Sequence, residues 1–169
     1  GLVVVAKTQA AFDNLRSQFR RRRIKKIYWA LVWGVAPPQG MIELPLAHDT
    51  RDRRRMRALT RSTRRKQRTW NAVTRYRRMD HSGGLSLLEI DMETGVTHQI
   101  RSHMGAIGHP IVADTLYGAG QTENLGLKRH FLHARSLTIL HPDDGRALTV
   151  EAELASELAE VLRRLKLKF

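Results

Sequence analysis

One short segment concentrates the side chains that could do chemistry. It runs from Glu93 to Met104 and contains His98, Arg101 and His103. His98 and Arg101 are three residues apart, so a helix would place them on one face. Arg101 would then lie in the first turn, where the positive end of the helix dipole disfavours a cation unless an anion is close. The spacing therefore predicts an anionic partner for Arg101, either a carboxylate or a phosphate.

A metal site is the weaker interpretation of the same histidines. His98 and His103 are five residues apart, so they diverge around a helix, whereas the paired histidines of helical zinc sites are four apart. No second cluster of candidate ligands accompanies them, and the chain has no cysteine. The lack of cysteine excludes disulfides and thiolate sites and is compatible with a reducing cytoplasm. We therefore expect no metal.

The charge balance indicates a polyanionic partner. Thirty Lys and Arg against sixteen Asp and Glu give a net charge of +14, and such a surface attracts phosphates by releasing their condensed counterions. Between Arg51 and Arg78 there are thirteen basic residues and one acid, Asp52. Residues 48–68 are predicted to be a nucleic-acid-contacting loop or irregular hairpin, with a plain solvated loop as the alternative. No apolar run is long enough to span a membrane.

The elements that must position these residues follow from apolar periodicity. It predicts a buried strand at 2–6, a helix at 9–22, a central strand at 26–34, a short strand at 41–45, strands at 69–79 and 85–92, a helix at 98–107, a hairpin of strands 131–140 and 147–152, and a last helix at about 155–166. The chain shows no internal repeat and no second domain. This order is typical of one α+β domain with a mostly antiparallel sheet flanked by helices.

Five short stretches, in order along the chain, resemble the RluA-type RNA pseudouridine synthases. The strongest, 94–104 followed by 108–118, resembles the family pattern Gly-Arg-Thr-His-Gln-(Ile/Leu)-Arg-x-His, with Val96 where the family usually has Arg. Residues 1–8 are similar to the end of the motif His-Arg-Leu-Asp-x-x-Thr-Ser-Gly-Leu-Leu-Leu-Ala-Lys-Thr. The remaining stretches are 26–34, 72–76 and 132–134. Five motifs in family order are far more specific than any one alone.

The resemblance implies that uridine in RNA is converted to pseudouridine without a cofactor. It assigns catalysis to Tyr28, which would pack on the uracil and accept the C5 proton, and to Arg101, which would hold a catalytic aspartate ionised. Taken singly, Tyr28 could be a core residue and Arg101 half of an ordinary ion pair. Substrate binding is expected of His98, Gln99, His103 and Leu132. RNA backbone contacts are expected of the two basic runs, at Arg21, Arg22, Arg23, Arg53, Arg54 and Arg55.

By the same motif, the catalytic aspartate lies five residues before Gly1, and neither Asp13 nor Asp49 fits its pattern. We therefore expect residues 1–169 to be one pseudouridine-synthase-like catalytic domain that lacks its N-terminal part and is inactive alone. Its partner would be ribosomal or transfer RNA, and the protein would be monomeric and cytoplasmic. Two alternatives remain. A non-catalytic RNA-binding protein reusing this fold is favoured by the missing aspartate but disfavoured by the intact pair of Tyr28 and Arg101. A structural ribosome-associated protein is disfavoured by the well-patterned core.

Overall fold

The computed structural model describes residues 1–60, 67–118, 120–121 and 123–169. Its elements are α1 (Gln9–Arg20), β1 (Lys25–Trp33), β2 (Gln39–Ile42), β3 (Leu46–His48), β4 (Met56–Ala58), β5 (Thr74–Ser82), β6 (Leu85–Met92), α2 (Gln99–Ala106), β7 (Leu132–Leu140), β8 (Ala147–Glu151) and α3 (Ser156–Arg164). Six strands form an antiparallel sheet in the order β2-β5-β6-β1-β7-β8, and β3 pairs with β4 separately. The α+β fold with a mostly antiparallel sheet is confirmed.

Strand β1 is the centre of the sheet because both of its faces are apolar. It pairs with β6 on one side and β7 on the other, and Ala30, Leu31 and Val32 are completely buried. The neighbouring β5–β6 hairpin closes through Gly83 and Gly84, whose φ angles are +55° and +75°. Such left-handed angles suit a tight hairpin turn and favour glycine. The central strand predicted at 26–34 is confirmed.

The register shows which side chains share the face that carries Tyr28. Tyr28 lies opposite Ile90 of β6, and Ile90 lies opposite Tyr76 of β5. Since alternate residues of a strand share a face, Thr74 is also on this side. Helix α2 lies against the same face, because two of its side chains, Gln99 and His103, hydrogen-bond to Thr74.

Helix α3 covers the opposite face. Trp29, which alternates with Tyr28 along β1, lines a groove with Ala159 and Arg163 of α3. Leu158 and Leu162 are completely buried in the same core as Leu31. No helix among the described residues combines the length and the apolar character needed to cross a bilayer.

The strand predicted at 2–6 is wrong for this structure. Val3 and Val5 are 85% and 78% exposed, and the segment joins the sheet through one hydrogen bond, from the Leu2 amide to the Ala134 carbonyl at 3.1 Å. Only one side of the segment is covered, where Val4 and Ala6 pack near α1. β-branched residues favour a strand only where neighbouring backbone completes the ladder.

The basic region departs from the prediction in its details. The irregular hairpin expected at 48–68 is present in its described part, as β3 paired with β4, and residues 61–66 of that region lie outside the described part of the chain. The strand predicted at 69–79 begins at Thr74, because residues around Trp70 bridge to β3 instead. The strand predicted at 41–45 is shifted to Gln39–Ile42. Short strands in polar sequence have no periodicity long enough to fix their register.

Candidate active site

The turn that leads into α2 is fixed by one buried glutamine. The side-chain carbonyl of Gln99 accepts hydrogen bonds from Thr94 Oγ1 at 2.7 Å and from the Val96 amide at 3.1 Å. Its amide group donates to the Val73 carbonyl at 2.9 Å and to Thr74 Oγ1 at 3.0 Å. Every hydrogen-bonding position of Gln99 is therefore filled. The glutamine ties the turn to the start of β5.

His103 ties the next turn of α2 to the same strand. Its Nδ1 lies 2.9 Å from Thr74 Oγ1, and its Nε2 lies 2.9 Å from the Leu44 carbonyl. Because a carbonyl can only accept, the proton belongs on Nε2, and the Thr74 hydroxyl donates to Nδ1. Burial lowers the pKa of His103, although the bond to Leu44 opposes this. The neutral imidazole of His103 is therefore the form compatible with both hydrogen bonds.

The substrate-binding role expected of Gln99 and His103 is not supported by this placement. Both side chains are buried, and their polar atoms are engaged within the protein. They fix the orientation of α2 through hydrogen bonds on its buried side. A motif residue that faces inward and one that faces a ligand look alike in a sequence.

Arg101 has the anionic partner that its position in the first turn predicted. Its Nε and Nη2 donate to the two carboxylate oxygens of Asp114 at 2.7 and 2.8 Å. The Arg101 side chain is 14% exposed and that of Asp114 is completely buried. A planar guanidinium on a planar carboxylate is a strongly oriented pair. Sequence analysis missed Asp114, although it falls within the family-like stretch 108–118.

The Asp114 carboxylate is itself built into a turn. Its Oδ1 accepts hydrogen bonds from the backbone amides of Leu116 and Tyr117, both at 3.0 Å. Burial alone would raise the pKa of Asp114, but the bonds from Arg101 and from these amides together lower it. Asp114 is therefore ionised at neutral pH, and the pair with Arg101 is a permanent feature of the site.

The aromatic ring of Tyr117 lies against the guanidinium group of Arg101. The Arg101 guanidinium lies 4.9 Å from the Tyr117 ring centroid, and that of Arg55 lies 5.2 Å from it. The Tyr117 hydroxyl accepts from the Met56 amide at 2.7 Å and lies 3.1 Å from His98 Nδ1. Tyr117 thus joins the basic hairpin to α2. No feature of the sequence pattern singled it out.

His98 occupies a strained backbone position at the start of α2. Its φ angle is +54°, a left-handed conformation that costs a residue with a Cβ about 1–2 kcal/mol. Burial lowers the pKa of His98, and the nearby charge of Arg101 lowers it further against the opposing effect of Asp114. A neutral His98 can accept the Tyr117 hydroxyl proton at Nδ1. Of the three polar side chains of this segment expected to bind substrate, His98, Gln99 and His103, His98 is the one that is not buried.

Tyr28 lies in a different part of the same sheet face. It is half-buried and lines an apolar groove of about 440 Å³ between the N-terminal segment, α1, β1 and β7. Burial raises the pKa of Tyr28, so its hydroxyl keeps its proton at neutral pH. Leu132 is on this face as well, since it lies opposite Ala30, two residues from Tyr28.

Strand β1 and the turn before α2 are directly joined. Lys26, two residues before Tyr28, donates from Nζ to the Thr94 carbonyl at 3.0 Å. Tyr28 and the helix carrying Arg101 therefore share one side of the sheet. Among the described residues, however, no hydrogen bond, ion pair or ring contact joins Tyr28 to Arg101. Their action on a single substrate stays a prediction.

The six arginines expected to contact RNA differ in their present partners. Arg54 makes a two-point pair with Asp52 at 3.0 and 2.8 Å, Arg22 lies 3.6 Å from Glu93, and Arg55 stacks on Tyr117. No ion pair within the described part of the chain involves the other three, which are Arg21, Arg23 and Arg53. Within the same residues, no group of three His, Asp or Glu could hold a metal ion.

Comparison with known proteins assigns the chain to a family. The model of the RNA pseudouridylate synthase family matches residues 1–106. An RNA pseudouridine synthase of Chloroflexus aurantiacus is 43% identical over 166 residues, which cover 98% of this chain and 50% of that protein. Ribosomal large subunit pseudouridine synthase D of Zymomonas mobilis is 36% identical and is matched over 52% of its length.

A solved structure agrees with this assignment. Human RNA pseudouridylate synthase domain containing 1 superimposes with a TM-score of 0.78 at 25% identity, covering 93% of this chain and 66% of that one. The chain spans about half the length of the curated relatives that it matches. It belongs to the RNA pseudouridylate synthase family, and its relatives place it in the RluA type.

Proposed function

We propose that the protein containing this chain isomerises uridine to pseudouridine in structured RNA. The glycosidic C–N bond breaks, the uracil turns, and a new C–C bond forms between the ribose and C5. The proton carried by C5 then leaves and N1 gains a proton, so the product has the atoms of the substrate in a new arrangement. No step requires an oxidant, a metal or a cofactor.

The observation that carries this proposal is the fixed orientation of Arg101. Asp114 holds its Nε and Nη2, and Tyr117 supports the guanidinium plane. Asp114 leaves the two N–H groups of Nη1 and the second N–H of Nη2 for another anion. A guanidinium held in this way can keep an incoming carboxylate ionised, which is the role that the resemblance implies for Arg101 toward the catalytic aspartate.

Tyr28 supplies the second group of the proposed site. Its ring borders an apolar groove suited to one face of a uracil. Burial raises the pKa of its hydroxyl, so Tyr28 can take the C5 proton only by giving up its own proton in the same step. The first residues of the chain run beside Ala134, the cross-strand neighbour of Tyr28. An aspartate five residues upstream of Gly1, as the family motif implies, would therefore lie within reach of Tyr28.

The substrate is proposed to be ribosomal or transfer RNA, bound by a monomeric protein in the cytoplasm. The uridine must leave its stack to reach Tyr28, which costs a few kcal/mol. Basic residues along 20–26 and 51–57 are suited to offset that cost through contacts with flanking phosphates.

Release of tritium from RNA labelled at uridine C5 tests the proposal. Full-length protein should release label in proportion to the pseudouridine formed, whereas residues 1–169 alone should bind the same RNA without releasing label. Failure of the full-length protein to release label from any cellular RNA fraction would overturn the proposed function.

A non-catalytic RNA-binding protein is the second candidate, and one contact favours it. Arg101 is already neutralised by Asp114, so its presence does not by itself require a catalytic aspartate. Under this alternative, the full-length protein would bind structured RNA tightly and leave C5 untouched. The tritium assay, with binding measured in parallel, separates the two.

A further inference from the structure

We propose that the pocket beside Trp70 binds an unpaired nucleobase of the RNA, at a nucleotide other than the uridine that is isomerised. The identity of the ligand as RNA rests on the proposed function. The pocket has a volume of about 620 Å³ and lies where the basic hairpin meets the segment leading into β5. It is separate from the groove that Tyr28 lines.

Trp70 forms a rigid floor for this pocket. Its backbone amide and carbonyl both pair with Leu46 at 2.8 Å, and its ring packs against the cluster formed by Leu46, Met56 and Ala72. His48 meets the indole edge-on, with ring centroids 5.3 Å apart. An indole held in this way loses little freedom when a flat ligand stacks on it.

An exposed cation, the side chain of Arg68, lies over the indole ring. The guanidinium of Arg68 lies 5.1 Å from the Trp70 ring centroid. A guanidinium plane over an aromatic ring occupies the space that a base would take, and it can slide outward to cover the second face of that base. The Trp70–Arg68 pair is thus suited to hold a base in a sandwich.

Two further groups point to a nucleotide as the occupant. Gln67 Nε2 is buried and has no hydrogen-bond partner among the residues that the structure describes, so a ligand that brings an acceptor, such as a base carbonyl, would satisfy it. Arg53 also lines the pocket, and among the described residues it has no ion pair. The combination of a stacking surface, an unsatisfied amide donor and spare cations matches a base together with its phosphate. A free anion would not require an aromatic stacking surface.

The hairpin connects this pocket to the catalytic region. The Met56 amide donates to the Tyr117 hydroxyl at 2.7 Å, and Ser102 Oγ donates to the Met56 carbonyl at 3.0 Å. Trp70 packs on the cluster that contains the same Met56. A base captured at Trp70 would therefore stand at a fixed separation from Arg101. It would help to choose which uridine reaches Tyr28.

The test measures RNA binding by full-length protein carrying Trp70→Leu, with a ten-nucleotide oligouridylate as probe. Leucine keeps an apolar side chain against the cluster of Leu46, Met56 and Ala72 but cannot stack. We expect binding to weaken about 5- to 150-fold, the usual effect of losing one base–aromatic stack, while the slope of log affinity against log salt stays unchanged. Trp70→Tyr should retain most of the affinity, and KM for substrate RNA should rise while kcat holds.

An abasic probe of equal length and a matched tryptophan provide the controls. Trp70→Leu should not alter binding of the abasic probe, because that probe has no base to stack. Trp29→Leu should leave oligouridylate affinity unchanged, since Trp29 also faces an arginine, Arg135 at 5.2 Å, but on the α3 side of the sheet. Equal weakening of both probes by Trp70→Leu would overturn the inference, as would wild-type binding of oligouridylate by that variant. Tritium release by the wild-type protein tests the proposed function separately.

Discussion

Arg101 has one guanidinium nitrogen, Nη1, that Asp114 does not engage. Its direction is set by the two bonds to that carboxylate and by the Tyr117 ring below. Sequence reasoning predicted that Arg101 needed an anion, because the helix dipole is local and readable from spacing. It could not name Asp114, which lies 13 residues away in an irregular segment whose path no periodicity describes.

Asp114→Asn is expected to lower kcat by about 100-fold, the effect of a small displacement of a reacting group. An amide cannot receive both guanidinium donors, so Nη1 would lose its direction. The catalytic aspartate would then be held ionised less firmly and its pKa would rise. The acid limb of the pH–rate profile should therefore move to higher pH, with KM for RNA nearly unchanged.

Asp144→Asn is the matched control for that substitution. Asp144 accepts from a neighbouring arginine, Arg146, at 2.8 Å, but on the exposed turn between β7 and β8. The Asp144→Asn variant should show the same pH–rate profile as the wild type. An acid limb that is identical in Asp114→Asn and wild type would show that Asp114 supports the fold without positioning Arg101.

At the scale of elements, α2 is attached to β5 by polar contacts in addition to its packing in the core. Gln99 and His103 both bond to Thr74, while Ile100 and Met104 fill the core. The apolar stripe predicted the helix and its buried side correctly. The hydrogen bonds from Gln99 and His103 to Thr74 could not be predicted from the sequence pattern, because they depend on which strand packs against the helix.

His103 should make stability depend on pH. Burial lowers its pKa in the folded state, so the unfolded chain binds more protons below its ordinary pKa of 6.5. The free energy of unfolding should therefore fall as pH drops through 6.5, until the folded-state pKa is reached. Melting temperatures between pH 8 and pH 5 measure this.

His103→Gln should reduce that dependence, because one of the buried titrating groups is gone, and should cost about 1–3 kcal/mol through imperfect replacement of two buried hydrogen bonds. His81→Gln, at the exposed β5–β6 turn, should leave the pH dependence as it is. A wild-type pH slope in His103→Gln would contradict the assignment of a buried neutral ring.

The basic hairpin should contribute to RNA affinity through its charges. Replacing Arg53, Arg54 and Arg55 together with Ala is expected to weaken RNA binding and to flatten its salt dependence, because each lost phosphate contact lowers the slope by roughly one. Arg54 should contribute least, since Asp52 already holds it. A filter-binding titration over salt concentration measures the slope.

Arg146→Ala combined with Arg163→Ala is the control for the hairpin. These two exposed arginines lie on the β7–β8 turn and on α3, away from the hairpin. Their loss should change the salt slope less than loss of the hairpin arginines. A salt slope unaffected by the triple replacement would contradict the RNA-contacting role of this segment.

For the molecule as a whole, the sequence revealed the family and the layout more readily than the site's internal contacts. Long periodic elements such as β1, β6 and α3 were predicted to within a few residues, because burial imposes their pattern. The prediction for residues 2–6 was wrong. Their apolar residues favour a strand, but no neighbouring strand among the described residues forms a ladder with them. The +14 charge indicated a polyanion but not where it binds.

Single-turnover tritium release by Tyr28→Phe and Arg101→Gln variants of the full-length protein, with RNA binding measured in parallel, tests the central claim most directly. If these two residues serve one uridine, each variant should lose at least about 100-fold in rate while its affinity for RNA changes only a few-fold. Rates within a few-fold of the wild type in both variants would contradict the account.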